Sequence, residues 1–483
     1  MTIQTRSDKP NDRFVFKFWI ISGAALLCCA LALAATSSQF AYEIEVASRP
    51  IFQFVTGYMI AGAVFLAVAW VLLPRSLTVQ KPLSLLMLMI VFGLAMRIVM
   101  FGSVPVQEND YYRYLWDGAL TAHGINPWAY SPQSILDGSV DDPTIAQLKA
   151  QAGTVLERIN YGDLRSVYPA VPQAAFALAY TIKPFSLEAW RGVLLLLDLA
   201  TLGLILMLLS SLNRPLVWAA LYWWNPIVIK EVMNSAHMEP VLLVPLLAAL
   251  VLCVKARPVA ASGAAALAAA AKVWPVLTLP AIWRPLLKQP TRLVAAMALA
   301  GLLCLALYWP VIAAQFDRSS GFIAFSTEWE RISASFLILT AMANLIPQSV
   351  LEPGSLARLT AAALIAATVL FNNRTPAANA SDTVHRFLIA AAAMLLLSPV
   401  QLPWYFMWIA PFLCVFPYRG LLLITLMFPL YYAFFELTAT GVEEAWLLAL
   451  VWVMWLPVWL VLAFDWWTGK RPGTDTCMVH KAS

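Results

Sequence analysis

The 483-residue sequence predicts an all-α polytopic membrane protein of about 12 to 14 transmembrane helices, with a long polar loop after the third span. Three observations predict it. Hydrophobic residues make up 61% of the chain and charged ones only 12%, against roughly 25% charge in a soluble domain. Apolar runs of about 18 residues or more recur from end to end, each long enough to cross a hydrocarbon layer. The 20 Trp suit the aromatic belts of membrane interfaces, and the 31 Pro are tolerated where neighbouring helices satisfy the freed carbonyls.

The spans fall near 14–36, 51–73 and 83–103, then, after the loop 104–167, near 190–211, 215–233, 240–255, 293–314, 354–372, 386–399, 404–417, 420–439 and 445–466. Residues 168–182 are broken by Pro169 and Pro172 and read as a helix lying at the interface. Residues 259–283 carry Lys272 and Pro275 in mid-run and read as two half-helices forming a hairpin. Phe14 to Ala35 follows Arg6, Lys9, Arg13 and Lys17, but this run is long for a signal peptide and reads as a retained first helix. With no internal repeat and no linker, residues 1–483 read as a single transmembrane domain. Residues 104–182 are its active-site loop with interfacial helices, and 467–483 its tail.

Basic residues set the orientation. One topology places the N-terminal tail, Arg75, Lys81, Arg214, Lys255, Arg257, Arg284, Lys288, Arg292, Arg374, His385, Arg386, Arg419, Lys470 and Arg471 in the cytoplasm, with both termini there and loop 104–167 on the far side. The same topology sends "NSAHMEP" (234–240), Lys272, "STEWERIS" (326–333) and "SPVQLPWY" (398–405) to that far face. Polar pieces remote in sequence therefore converge, which is the main ground for expecting a site.

Several classes are set aside. Five of the six cysteines lie in apolar runs and none has metal-ligand spacing, so they read as packing residues. No phosphate loop, dinucleotide fingerprint, zinc spacing or serine-hydrolase elbow is present, and no basic patch interleaved with aromatics. Nucleic acid is not an expected partner, and a lipid-borne substrate fits better than a nucleotide.

In "QENDYYRYLWDGALTAHGINPWAYSP" (107–132), Glu108 and Asp110 flank one residue, a pair suited to base chemistry or to a divalent cation. A helix over 109–121 puts Asp110, Arg113, Tyr114 and Asp117 on one face, and Asn126-Pro127 ends it. His237 and Glu239 enter a site from a turn beside Asn234 and Ser235. Lys272, a charge between apolar half-helices, faces a cavity or partner and suits a phosphate. Arg331 beside Trp329, and Trp404 and Tyr405 at a span mouth, complete the set, the last two as substrate-stacking or belt residues.

These motifs resemble the GT-C glycosyltransferases that use polyprenyl-phosphate sugars, in particular the first mannosyltransferase of GPI anchors and bacterial polyprenyl-phosphomannose-dependent mannosyltransferases. "ENDYYRYLWDGALTAHGINPWAYSP" is similar to their first extracytoplasmic loop, with Glu108 for the first Asp of an acidic pair and Gly124, Pro127 and Tyr130 in place. "SVYPAVPQ" (166–173), "WNPIVIKEVMNSAHME" (224–239, with Ala236 for Gly and Glu239 for Asp), "AKVWPVLTLP" and "LSPVQLPWYFMWIAPFL" extend the likeness over roughly 105–415.

The resemblance implies a GT-C bundle in the cytoplasmic membrane whose extracytoplasmic site transfers a mannosyl or other hexosyl group to a glycan or lipid acceptor, with inversion. Asp110 would be the general base and Glu108 its support. Arg113, Asp117, Asn126, His237, Glu239, Lys272, Arg331, Trp404 and Tyr405 would bind substrate. No cofactor is expected, with a divalent Mg or Mn ion at Glu108 and Asp110 left open. A transporter or flippase for a sugar or lipid-linked glycan is the alternative, and a scaffold subunit a third reading.

Overall fold

The computed structural model describes residues 10–76, 82–347, 351–442 and 444–468. Arg6, Lys9, Lys81 and the expected tail beyond Thr468, with Lys470, Arg471 and Cys477, lie outside them. Among the described residues every regular element is helical, apart from one isolated bridge between Arg331 and Val400. Nine described helices are long and apolar enough to cross a membrane: Arg13–Phe40, Ile51–Ser76, Pro82–Phe101, Leu187–Ser211, Pro290–Ala313, Pro353–Asn372, Ala380–Leu397, Arg419–Ala439 and Glu444–Trp467. The protein is a polytopic membrane protein.

These nine fall on expected runs to within a few residues. The other expected crossings are shorter or broken. Residues 240–255 give the 16-residue helix Glu239–Val254. The run 215–233 becomes a 3-10 turn Leu216–Ala219, two four-residue helices and a π-helical turn Lys230–Asn234. Pro226 cannot continue a helix, and the Asn225 side chain accepts from the Ile227 and Val228 amides, so a new helix starts there. Pro403 and Pro411 likewise reduce 404–417 to the 3-10 helix Pro403–Trp408 and the short Ala410–Leu413. In 259–283 the helix Pro258–Ala269 stops short of Lys272, and short helical turns follow, starting with Trp274–Thr278.

The chain forms two compact units. The first comprises Met1–Val104, Leu208–Lys230 and Ala410–Ser483. Its helices Pro82–Phe101 and Pro10–Thr36 pack together, as do Arg419–Met427 and Glu444–Trp467. The buried Arg97 is held inside the bundle: Nη1 donates to the Gly93 and Trp223 carbonyls at 3.1 and 2.8 Å, and the guanidinium stacks 3.3 Å from the Trp223 ring centroid. This unit holds a cavity of about 610 Å3 whose lining has no carboxylate.

The second unit comprises Pro105–Met207 and Glu231–Ile409. Helix Tyr111–Ala122 crosses Ala170–Ile182 at very short range. A Cβ on Gly118 would meet the Phe176 carbonyl oxygen at 2.5 Å, so only glycine allows this approach. The first of these helices ends at Ala122, four residues before Asn126. Gly124 takes the left-handed conformation (φ 72°) and the Ile125 amide reaches back to the Leu120 carbonyl, a helix stop that acts before Pro127 is reached. The 13-residue helix Ala170–Ile182 is too short to span a bilayer. Glu239–Val254 packs on the alanine-rich Pro258–Ala269, which in turn packs on Pro290–Ala313.

Candidate active site

A cavity of about 450 Å3 lies within the second unit. Asp110, Arg113, Arg165, Glu239 and Lys272 supply its charged lining, with Arg165 held by the Ala314 and Gln315 carbonyls and by Asp317, and Tyr168, Trp274, Trp404, Tyr405 and Trp408 form much of its aromatic wall. Of the sequence-predicted residues, Asp110, Arg113, Glu239, Lys272, Trp404 and Tyr405 line it.

Asp110 is the N-cap of helix Tyr111–Ala122, and its carbonyl accepts the Arg113 amide at 3.0 Å. A carboxylate here faces the positive end of the helix dipole. Its side chain is 31% exposed, and that surface belongs to the cavity wall. Desolvation raises the Asp110 carboxyl above the usual aspartate range, while Arg113, Lys272 and a hydrogen bond from Asn160 pull it back down. Burial lowers Arg113, opposed by Asp117, Tyr168 and Asp110. Its guanidinium donates to the carbonyls of Leu164, Asn160 and Tyr161 at 2.9, 3.1 and 3.0 Å, so three backbone oxygens fix its position on the wall.

Lys272 reaches Glu239 at 2.5 Å. Its ammonium also lies 4.3 and 5.2 Å from the ring centroids of Tyr405 and Trp408, which stack on each other at 4.0 Å. Lysine has three N–H donors, and Glu239 occupies one. Among the described residues the other Glu239 oxygen, Trp274 Nε1 and Trp408 Nε1 are buried without a hydrogen-bond partner. Trp274 and Trp408 both line this cavity.

The other predicted residues sit outside the cavity wall. Asp117 is buried and accepts from Ser166 Oγ at 2.5 Å and Gln173 Nε2 at 3.0 Å, so it ties helix Tyr111–Ala122 to the 166–173 segment. Asn126 bridges the Trp128 amide and the Pro310 carbonyl. Arg331 pairs its backbone with 399–401 and directs Nη2 at the Tyr161 hydroxyl at 3.4 Å, so Tyr161 reaches the cavity in its place. Glu108 and His237 form a neighbouring polar layer: His237 Nδ1 is 4.0 Å from Asp110 Oδ2, and Nε2 is 3.7 Å from Glu108 Oε2.

The turn carrying His237 is locked by its own unit. Trp190 Nε1 donates to the Ala236 carbonyl at 2.8 Å, Arg191 to the Asn234 carbonyl, and Asn234 Oδ1 accepts from the Val106 amide at 2.9 Å. Ala236 sits at φ 61°, left-handed backbone that favours glycine. The Gly to Ala departure noted above therefore falls where glycine is the unstrained residue.

Sequence reading missed Glu231, Asn160, Tyr168, Trp274 and Trp408. Glu231 had a usable signal, because it is a carboxylate inside the otherwise apolar run "PIVIKEVM". The indoles had none, since Trp in such a chain reads first as interfacial belt.

Residues 17–288 match the family described as alpha-(1->6)-mannopyranosyltransferase, N-terminal domain (the MptA_B family). That match covers more than half of the chain. The chain belongs to this family. It is a glycosyltransferase of the mannosyltransferase kind, in agreement with the resemblance to polyprenyl-phosphomannose-dependent GT-C enzymes. No curated protein and no solved structure matches it. The matched region of the transferase holds Glu108, Asp110, Arg113, Glu231, His237, Glu239 and Lys272, while Arg331, Trp404 and Tyr405 lie beyond it.

Proposed function

We propose that this transferase moves a mannosyl or other hexosyl group from a polyprenyl-phosphate donor to an extracytoplasmic glycan or lipid acceptor, inverting the anomeric centre. It would do so in the cytoplasmic membrane with both termini in the cytoplasm. The observation that carries the reading is one cavity holding the Asp110 carboxylate and the Lys272 ammonium between aromatic walls. The chemistry needs both. The acceptor hydroxyl gives its proton to Asp110 Oδ as its oxygen attacks the anomeric carbon. The bond from that carbon to the phosphate oxygen breaks, and the lipid phosphate leaves with one more negative charge than it brought.

A cation beside the leaving phosphate stabilises that charge, and the two Lys272 N–H donors not engaged by Glu239 can reach it. Arg113 adds fixed positive potential from the wall. The rings of Trp404, Tyr405 and Trp408 on the wall offer faces against which a sugar can stack. A single displacement with a single base inverts configuration.

The test is sugar transfer in membranes from radiolabelled polyprenyl-phosphomannose, wild type against Asp110→Asn. Loss of about a hundredfold or more, the usual general-base factor, supports the base role. Equal transfer by both overturns it. If neither transfers mannose while another lipid-phosphate sugar is used, the donor sugar is reassigned and the site stands.

A further inference from the structure

One polar cluster beside the cavity has no part in the transfer just described. Glu231, in the π-helical turn Lys230–Asn234, places Oε2 3.6 Å from His237 Nε2. Glu108 Oε2 lies 3.7 Å from the same nitrogen. One ligand atom from each of the three residues lies within 4.8 Å of the other two. Glu231 and His237 are fully buried.

The spacing is informative. Separations of 3.6 and 3.7 Å exceed an N–H···O hydrogen bond, which falls at about 2.7–3.2 Å. They are close to the edge of about 3.4 Å that a tetrahedron with metal–ligand bonds of about 2.1 Å would have. The surroundings are polar and rigid as well. His237 turns its other nitrogen, Nδ1, towards the Asp110 carboxylate at 4.0 Å, a separation longer than a hydrogen bond, so a carboxylate also faces the side of the ring away from Glu108 and Glu231. Trp404 lies flat on the ring, and Ser235 Oγ donates to Glu231 Oε2 at 3.0 Å, so ligands and ring are held in place.

We infer that Glu108, Glu231 and His237 Nε2 form a binding site for one divalent transition-metal ion of the Zn2+ or Mn2+ class. One imidazole and two carboxylates suit these ions. Asp110 faces the opposite nitrogen of the imidazole and is not a ligand. This replaces the Glu108 and Asp110 pair as the cation site. Only the consequence for transfer, an imidazole fixed against the base, rests on the transferase mechanism above. Binding itself does not.

The full-length chain in detergent or nanodiscs is stripped with chelator and desalted. ZnCl2 and MnCl2 are then titrated separately, with bound metal per chain read by mass spectrometry and the unfolding temperature read alongside. About one equivalent of one of the two ions, with a raised unfolding temperature, is expected for wild type. Affinity falls about tenfold or more in Glu108→Gln, Glu231→Gln and His237→Asn. The unfolding temperature of each metal-free variant, set against metal-free wild type, separates lost ligation from lost folding. Wild type that takes up neither ion at about 100 µM free metal overturns the inference without recourse to any variant. So does Glu231→Gln binding a full equivalent with wild-type affinity. A chain that binds no metal yet loses transfer in Asp110→Asn rejects this site and keeps the transferase mechanism. Metal binding without transfer does the reverse.

Discussion

The Trp404 indole lies flat on the His237 imidazole, ring centroids 3.9 Å apart and planes 21° from parallel. The two residues are far apart in sequence, and the contact fixes the ring whose Nδ1 faces Asp110. Aromatic stacking of this kind is worth about 0.5–1.5 kcal/mol, or roughly two- to tenfold in rate if it is needed to place the base. Trp404→Ala is expected to lower kcat/KM by that factor, while Trp404→Phe, which keeps a stacked ring, stays near wild type. Equal loss in both would mean that the indole N–H or its bulk matters and the stack does not.

Lys272 and Glu239 form a pair in which the carboxylate is almost wholly buried. Lys272→Ala leaves that carboxylate without its cation, at a cost of about 3–5 kcal/mol, seen as a lower unfolding temperature. The double substitution Lys272→Met with Glu239→Gln removes both charges and is expected to recover the stability but not the sugar transfer. Normal transfer by the stable double variant would show that Lys272 serves the fold alone.

Ala236 holds left-handed backbone at φ 61°, where a side chain costs about 1–2 kcal/mol relative to glycine. Ala236→Gly gains flexibility in the unfolded chain but sheds that strain. Its unfolding temperature is expected to equal or exceed wild type with transfer retained, whereas Ala236→Val should fall clearly below. A marked loss in the glycine variant would mean that the buried methyl outweighs the strain.

Burial raises the Asp117 carboxyl, partly offset by Arg113, Ser166 and Gln173. A carboxyl raised in the folded state binds its proton more tightly folded than unfolded. Its contribution to stability is therefore full below the unfolded value of about 3.9 and is lost as pH rises through the folded value. Unfolding temperatures measured from about pH 4 upward should decline with pH more in wild type than in Asp117→Asn. Parallel curves would remove Asp117 from the pH response.

The nine long apolar helices among the described residues were legible because a bilayer demands a long apolar run, and composition alone reports that. Asp110, Glu239 and Lys272 were legible for the converse reason: a charge beside or within such a run is costly unless it has a use. Arg113 lines the same cavity as Asp110 and Lys272, but its three carbonyl partners in 160–164 could not be read from spacing. Asp117 and Arg331 were placed with the site because they share its motifs. Asp117 instead turns to Ser166 and Gln173, and Arg331 lies behind Tyr161. One helical face covers a wide arc, and which side of it meets the cavity depends on how the neighbouring helix packs, here at Gly118 against Phe176.

By itself, the sequence determined that this chain lives in lipid, where most of its crossings lie, and that acidic, basic and aromatic motifs are set at their ends. Hydrophobic length and the cost of buried charge are properties of residues one segment at a time, so they survive without a fold. Only the tertiary structure decided that Asp110 and Lys272 share one cavity, that Glu108 and Glu231 face one nitrogen of His237, and that Trp404 seals its ring. Apart from Glu231 and His237, which one turn brings together, those relations join residues more than a hundred positions apart, and what sets them is close packing of helices and turns, which no local pattern encodes.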